Sequence, residues 1–235
     1  MKTIAILTGA GVSAESGLGT YRDNGGLWDN YDPMEVASIE GWYRNPSLVL
    51  DFYNMQREHL KDVEPNAAHK AIAALEKENK VYVITQNVDN LHERAGSTKV
   101  IHLHGEVTKV RPERGLYDRT YLENEVKDIG YSKVSLGDTD ENGIQLRPHI
   151  VFFGEAVPKI ETAAEIVAHA DIVLIVGTSL KVYPAAGLYR YARRDAGIYL
   201  IDPADVDVPD SRIIHIKEKA TSGMMTFLEK YLKNE

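Results

Sequence analysis

The sequence predicts an α/β chain built on a doubly wound parallel sheet, and three observations carry that prediction. Short β-rich runs alternate with amphipathic stretches along most of the chain. Most of the short runs are apolar on both sides, as strands covered by helices on each face must be. Three dense polar clusters each follow directly on such a run, where the strand ends of open α/β sheets hold ligands.

Taken in order, the first strand is expected at 4–7, where Ile4-Ala5-Ile6-Leu7 leads into the glycine-bearing cluster 8–16. Amphipathic helices are expected over 46–60 and 67–78. A strand at 81–85, carried by Val81-Tyr82-Val83-Ile84, opens onto Gln86-Asn87-Val88-Asp89-Asn90. Another at 100–103 opens onto His104-Gly105-Glu106. Beyond these come a helix at 159–169, a strand at 171–176, a helix at 185–196, strands at 198–201 and 212–216, and a helix at 222–233. Residues 111–146 interrupt the alternation: they are polar and charged and are punctuated by Gly115, Gly130, Gly137 and Gly143. A structureless loop of that length is unusual in a compact domain, so the segment reads as a small inserted module. The chain is thus one domain, 1–235, long enough to bury a substantial core, with the module 111–146 set into it.

Composition narrows the function. The 235 residues include no cysteine, which removes disulfides, thiolate metal sites and a cysteine nucleophile. A formal net charge of −8 gives no general attraction to nucleic acid, and would modestly favour a basic peptide. No apolar run approaches membrane-spanning length, so no membrane association is expected. Met1-Lys2-Thr3 runs straight into the first strand, which leaves no room for a secretory leader and makes the cytoplasm the expected compartment.

The cluster Gly9-Ala10-Gly11-Val12-Ser13-Ala14 fits G-x-G-x-x-A after a strand, the pattern of a pyrophosphate cradle at a helix N-terminus. A tight strand-to-helix turn would give the same letters. The second strand with an acidic end that an ordinary dinucleotide dehydrogenase needs about twenty residues on is missing. In its place stands a run rich in glycine and aromatic residues from Gly17 to Trp28, which reads as a loop folding over a ligand, with Arg22 able to pair bidentately with a phosphate. Surface charge and loop packing are the plainer readings of Arg22 and Trp28.

In the second cluster, Gln86 and Asn87 can pair with a carboxamide, and Asp89 can accept from a ribose hydroxyl. A capped helix start is the alternative. His104, at a strand end before Gly105, suits a general base. It also suits a structural histidine, the role that better fits His92 and His102. Neither these histidines nor their neighbours show metal-ligand spacing. Gly177-Thr178-Ser179 again follows a strand with small hydrogen-bonding residues. The run 150–155 is extended and aromatic, and reads either as a buried strand or as an edge near Gly154 for an extended peptide.

Together these residues resemble the sirtuins, NAD-dependent protein lysine deacylases. The resemblance rests on the run from Gly9 to Gly17, the long run from Thr85 to Gly96, His102-Leu103-His104-Gly105-Glu106, Phe153-Gly154-Glu155 and the run from Gly177 to Pro184, in the family's order. It implies a Rossmann-like domain with a smaller module, and a cleft in which NAD is consumed as a co-substrate and meets the acyl-lysine of a protein or peptide. It further implies that the acyl oxygen attacks the anomeric carbon as nicotinamide leaves, and that His104 then takes a proton from the ribose and promotes attack on the imidate. Asn87 shares the catalytic site with His104. NAD binding falls by resemblance to Gly9, Ala10, Gly11, Ser13, Glu15, Tyr21, Arg22, Trp28, Gln86, Asn87, Asp89, Gly177, Thr178, Ser179, Asp202 and Ala220. Substrate binding falls to Ala37, Tyr53, Gln56, Phe153, Gly154 and Glu155.

The chain also departs from the family. Tyr53 and the short stretch before Trp28 are similar to class III sirtuins, which pair a tyrosine with an arginine three residues later to read an acidic acyl group. Here that later position is Gln56, and Arg57 lies one step on, about 100° round a helix. Acetyl-lysine is therefore the expected substrate, with succinyl and malonyl groups disfavoured. The four zinc cysteines of most sirtuins are absent, so no zinc is expected, and packing of Leu116, Tyr117, Tyr121, Leu122, Ile129 and Tyr131 is expected to hold the module instead. Tyr21 stands for the usual phenylalanine beside nicotinamide, and Asp202 for an asparagine near the adenine ribose. The competing reading is another NAD-consuming activity, mono-ADP-ribosyl transfer or NAD hydrolysis; His104 argues for deacylation, which needs a base.

Overall fold

The structure, a computed structural model, describes residues 1–19, 31–115, 123–206 and 210–232. Tyr21, Arg22 and Trp28, and four residues of the expected module packing (Leu116, Tyr117, Tyr121 and Leu122), lie outside the described residues.

Nine strands are described: β1 (Thr3–Thr8), β2 (Lys80–Thr85), β3 (Val100–His102), β4 (Gly105–Pro112), β5 (Lys127–Asp128), β6 (Leu146–Ile150), β7 (Ile172–Val176), β8 (Gly197–Ile201) and β9 (Ile213–Ile216). Six form one parallel sheet in the order β3-β2-β1-β7-β8-β9. This is the doubly wound order, with its switch point between β1 and β7. Alternate side chains of one strand feed opposite cores. Ile4 and Ile6 of β1 join Ile172, Leu174 and Val176 of β7 on one face, while Ala5 and Leu7 join Val173 and Ile175 on the other. That explains why these strands read as unbroken apolar runs.

Eight α-helices are described: α1 (Gly11–Ala14), α2 (Pro33–Val36), α3 (Ile39–Arg44), α4 (Pro46–Lys61), α5 (Ala67–Ala74), α6 (Leu91–Arg94), α7 (Ile160–Ala168) and α8 (Ala220–Phe227). On the first face, α5 and α8 supply Ala68, Ile72, Met224 and Phe227; on the second, α7 supplies Ala163 and Val167. The helix expected over 185–196 is a 3-10 helix, Ala185–Tyr191. Its inner side still buries Leu188 and Tyr189, but Gly187 lowers α-propensity and Ala192 turns extended.

A second sheet, antiparallel in the order β5-β4-β6, stands beside the first. It packs on α3 and α4 through Trp42, Phe52, Tyr53, Val107, Val110, Val134 and Phe152. Its strands reach past 111–146 on both sides, from Gly105 to Ile150. Ile129 and Tyr131 pack against this core. Among the described residues, polar braces add to this packing. The Asn54 amide donates to the Val134 carbonyl at 2.8 Å and accepts from the Val134 N–H at 2.9 Å. The Gln145 amide donates to the carbonyls of Ser135, Asp138 and Leu146 and accepts from Gly137 N–H. Among the described residues no helix is long and apolar enough to cross a membrane.

Candidate active site

The site forms where the loops after β1, β2, β3 and β7 meet at the switch point. The loop after β1 lies directly on the loop after β7. Gly9 N–H donates to Val176 O at 3.1 Å and Gly11 N–H to Gly177 O at 2.9 Å. Only glycines permit that approach: a Cβ on Gly11 would lie 2.7 Å from Gly177 Cα, and one on Gly177, whose φ is +61°, would lie 2.4 Å from Val12 N. Val12 and Ser13 N–H groups bond to Gly9 O and Ala10 O, so four backbone donors of this loop are spent on closing it. The single turn of α1 therefore does not present the row of free N–H groups that the sequence pattern suggested.

Behind this wall lies a connected polar floor. Ser13 Oγ donates to Asp89 Oδ2 at 3.0 Å, and accepts from the Asn87 amide at 3.1 Å and from His69 Nε2 at 3.4 Å. The Asn87 amide also donates to Gly9 O, and the Gln86 amide donates to Thr178 Oγ1 at 3.2 Å, tying the second cluster to both loops. Asp89 is buried, which pushes its carboxyl up, against the pull of Leu91 N–H and the Ser13 hydroxyl. His69 and His92 lie edge to face, with centroids 4.8 Å apart. Burial lowers both, His69 to about 4, so they are neutral donors and acceptors under the floor. His69 escaped the sequence reading because its partner Ser13 lies 56 residues away, and no local pattern marks it.

His104 sits half-buried on the rim of this floor. Its Nδ1 lies 3.0 Å from Gln86 O. A carbonyl only accepts, so Nδ1 carries the proton and Nε2 keeps a lone pair. Burial lowers this ring below the ordinary histidine value, partly offset by the Gln86 carbonyl, so it is neutral near pH 7. Gly105 makes the position possible: φ is +83°, and a Cβ there would lie 1.9 Å from His149 O.

The remaining site residues fall into two groups. Thr178 is buried beside Gln86, with Ser179 following it, and Asp202 closes β8 with its carboxylate on Ala204 N–H. The Glu15 carboxylate is committed to Thr221 N–H and Oγ, next to Ala220, and so caps α8. On the side of the small sheet, Phe153 N–H donates to Ala37 O at 2.8 Å and Phe153 O accepts from Ile39 N–H at 3.0 Å, with Gly154 at the turn beyond. That edge at Phe153 is filled from within the chain. Glu155 is clamped by Arg147, at 2.8 and 3.0 Å, and by Phe152 N–H at 2.7 Å. Tyr53 is buried against Phe152, with ring centroids 5.9 Å apart. Gln56 is half-buried on the same helix. Arg57 is fully buried and donates to Val107 O at 2.9 Å and to Asn54, and burial lowers it to about 10.

This donor set suits a nucleotide: amides and a carboxylate for a carboxamide and a ribose, small residues for close backbone approach, and one neutral imidazole. Comparison with known proteins agrees. The family model described as the Sir2 family matches residues 9–184. A protein of Bacteroides thetaiotaomicron named NAD-dependent protein deacylase is 54% identical over 232 residues, 99% of this chain and 98% of its own length. One of the same name from Helicobacter pylori is 49% identical over 235 residues, 99% of each chain. A crystal structure described as a Sir2 homolog–NAD complex superposes with a TM-score of 0.86 at 37% identity, covering 99% of this chain and 90% of the other.

Proposed function

Because the chain belongs to the Sir2 family, we propose that it removes acyl groups from protein lysine side chains at the expense of NAD, leaving nicotinamide, O-acyl-ADP-ribose and free lysine. The enzyme class, NAD-dependent protein deacylase, follows from its relatives. The observation that carries the chemistry is His104, neutral, with its proton on Nδ1 and its Nε2 lone pair unclaimed by Gln86.

NAD, when bound, supplies an anomeric carbon that parts from nicotinamide and a ribose that receives the acyl group. The chain's own residues do the rest. Gln86, Asn87, Ser13 and Asp89 hold the carboxamide and ribose at the floor, where Ser13 is bonded to Asn87 and Asp89, and Gln86 to Thr178. Gly9, Ala10, Gly11 and Gly177–Ser179 let the phosphates approach the backbone. His104 Nε2 takes the ribose proton as general base, an act that asks for a ring neutral at working pH.

The acyl pocket is read from Ala37, Tyr53, Gln56, Phe152 and Phe153. Ala37 leaves room at its mouth. Acetyl-lysine is the preferred substrate in this reading, and acidic acyl groups are weak ones. Arg57 supports it, since a guanidinium buried against Val107 O and Asn54 is not available to a succinyl carboxylate. A neutral hydrogen bond from Gln56 contributes about 0.5–1.5 kcal/mol against roughly 1.5–3 for a charged one. A turnover panel of acetyl-, succinyl- and longer acyl-lysine peptides, with and without NAD, tests the proposal. Acetyl turnover that needs NAD is expected. Strong preference for succinyl-lysine, unchanged in Gln56→Arg, would refute the acyl assignment.

A further inference from the structure

The two histidines of His102-Leu103-His104 do matching work on consecutive carbonyls. His104 Nδ1 holds Gln86 O, and His102 Nδ1 holds Asn87 O, each at 3.0 Å. Parallel pairing of β2 and β3 sets Thr85 opposite His102, so the ring at the end of β3 reaches the loop that leaves β2. The other nitrogen of His102, Nε2, lies 2.8 Å from Glu93 Oε1. Both partners are acceptors, so both ring nitrogens carry protons and the ring is an imidazolium.

We propose that His102, gripped between the Asn87 carbonyl and the Glu93 carboxylate, is a positioning residue that fixes the amide loop 86–89 for NAD. The inference rests on the reading above that Asn87 faces NAD. Asn87 is the joint of the site: its amide bonds to Gly9 O and Ser13 Oγ, while its carbonyl is held from behind by His102. If the carbonyl grip is lost, the peptide plane can rotate and carry the amide off Ser13.

The charges around the ring are arranged to keep it protonated. Burial opposes the charge, but the hydrogen bond and charge of Glu93 outweigh it, with Glu106 adding to them. Glu93 is lowered in turn by His102, against its own burial. Asp89 in the loop also faces the ring, and His92 on α6 stays neutral beside it. Lys109 pairs with Glu106 at 2.8 Å on the far side. The ligand atoms of Glu93, His102 and Glu106 lie within 4.8 Å of one another. The protonated ring and the Lys109 ammonium already supply positive charge there, which argues for an ion-pair cluster over a cation site.

The sign of the pH effect follows. A neutral ring keeps one proton, and the Glu93 carboxylate, a stronger acceptor than a carbonyl, holds it on Nε2, so the grip on Asn87 O is complete while His102 is charged and is lost as pH rises through its elevated folded value. The test is NAD affinity by calorimetry from about pH 6 to about pH 9.5. Wild type should bind evenly at low pH and weaken along an alkaline limb, and Glu93→Gln should move that limb to lower pH by about one unit or more. In His102→Asn the amide nitrogen lies close to where Nδ1 was, so binding should stay within about threefold of wild type and lose its alkaline limb. In His102→Gln the amide reaches only the Nε2 place, and NAD should weaken by about tenfold. Superimposable profiles for wild type and Glu93→Gln, or equal losses in the two His102 variants, would overturn the proposal. So would binding that rises on adding zinc. Nitrogen NMR of the wild-type ring, which needs no variant to fold, should show both His102 nitrogens protonated near neutral pH; a neutral ring would overturn it equally. Because binding and not turnover is read, a chain that binds NAD in this way but deacylates nothing would count against the proposed function alone.

Discussion

His104 keeps its Nδ1 proton on Gln86 O, so its chemistry is set by tautomer as much as by place. His104→Ala should cut deacylation on the order of 100- to 10,000-fold while NAD still binds. Single-turnover kinetics beside calorimetry would check it, and near-normal turnover by the folded variant would remove His104 from the role of base. Its acid limb carries a sign as well. The base works only when neutral and burial lowers it, so kcat/KM should hold down to a pH below about 6.5 and then fall. A limb well above that would mean a different group titrates. At this scale the sequence was legible wherever a residue sits next to its own strand end, as His104, Gln86 and Asn87 do at the ends of β3 and β2. Residues whose meaning lies in a distant partner were not. The Glu15 carboxylate bonds to Thr221, 206 residues away, and that of Glu155 to Arg147 and the Phe152 N–H, partners that no local pattern announces. Arg57, one step from Gln56, is directed to Val107 by burial that no helical wheel reports.

Among the elements, the small sheet is braced by side chains from the helices it packs on. The Asn54 side chain pairs with both polar groups of the Val134 backbone and also accepts from Arg57. Asn54→Ala should therefore destabilise the protein by about 1–3 kcal/mol, since it strips partners from groups that are wholly or partly buried. Chelators should leave the melting temperature of wild type unchanged. Thermal melts with and without chelator decide both points. A second element-scale test is Gly177→Ala. Its Cβ would meet Val12 N at 2.4 Å in a backbone of positive φ, so the loops after β1 and β7 must part and NAD affinity should fall by about tenfold or more. Unchanged affinity would show that the contact of those loops is not part of the site. The central strands β1, β7 and β8 could be read from local runs because both of their faces are buried. The β4–β6 pair could not: its partners lie about 40 residues apart, and Lys109, Arg111 and Arg147 make the strands look polar until their ion pairs are seen.

Across the whole molecule, one switch point gathers the four loops after β1, β2, β3 and β7. Fold and chemistry are therefore linked: the 3-2-1-4-5-6 order of the parallel strands brings Ser13, the loop of Gln86, Asn87 and Asp89, and Thr178 together from three parts of the sequence. The central claim, that this assembly transfers an acyl group from lysine to ADP-ribose, is tested most directly by mass analysis of the products from an acetyl-lysine peptide and NAD. Nicotinamide, deacetylated peptide and O-acetyl-ADP-ribose in equal amounts are the expected result. Free ADP-ribose with the peptide still acetylated, or a peptide carrying ADP-ribose, would contradict it.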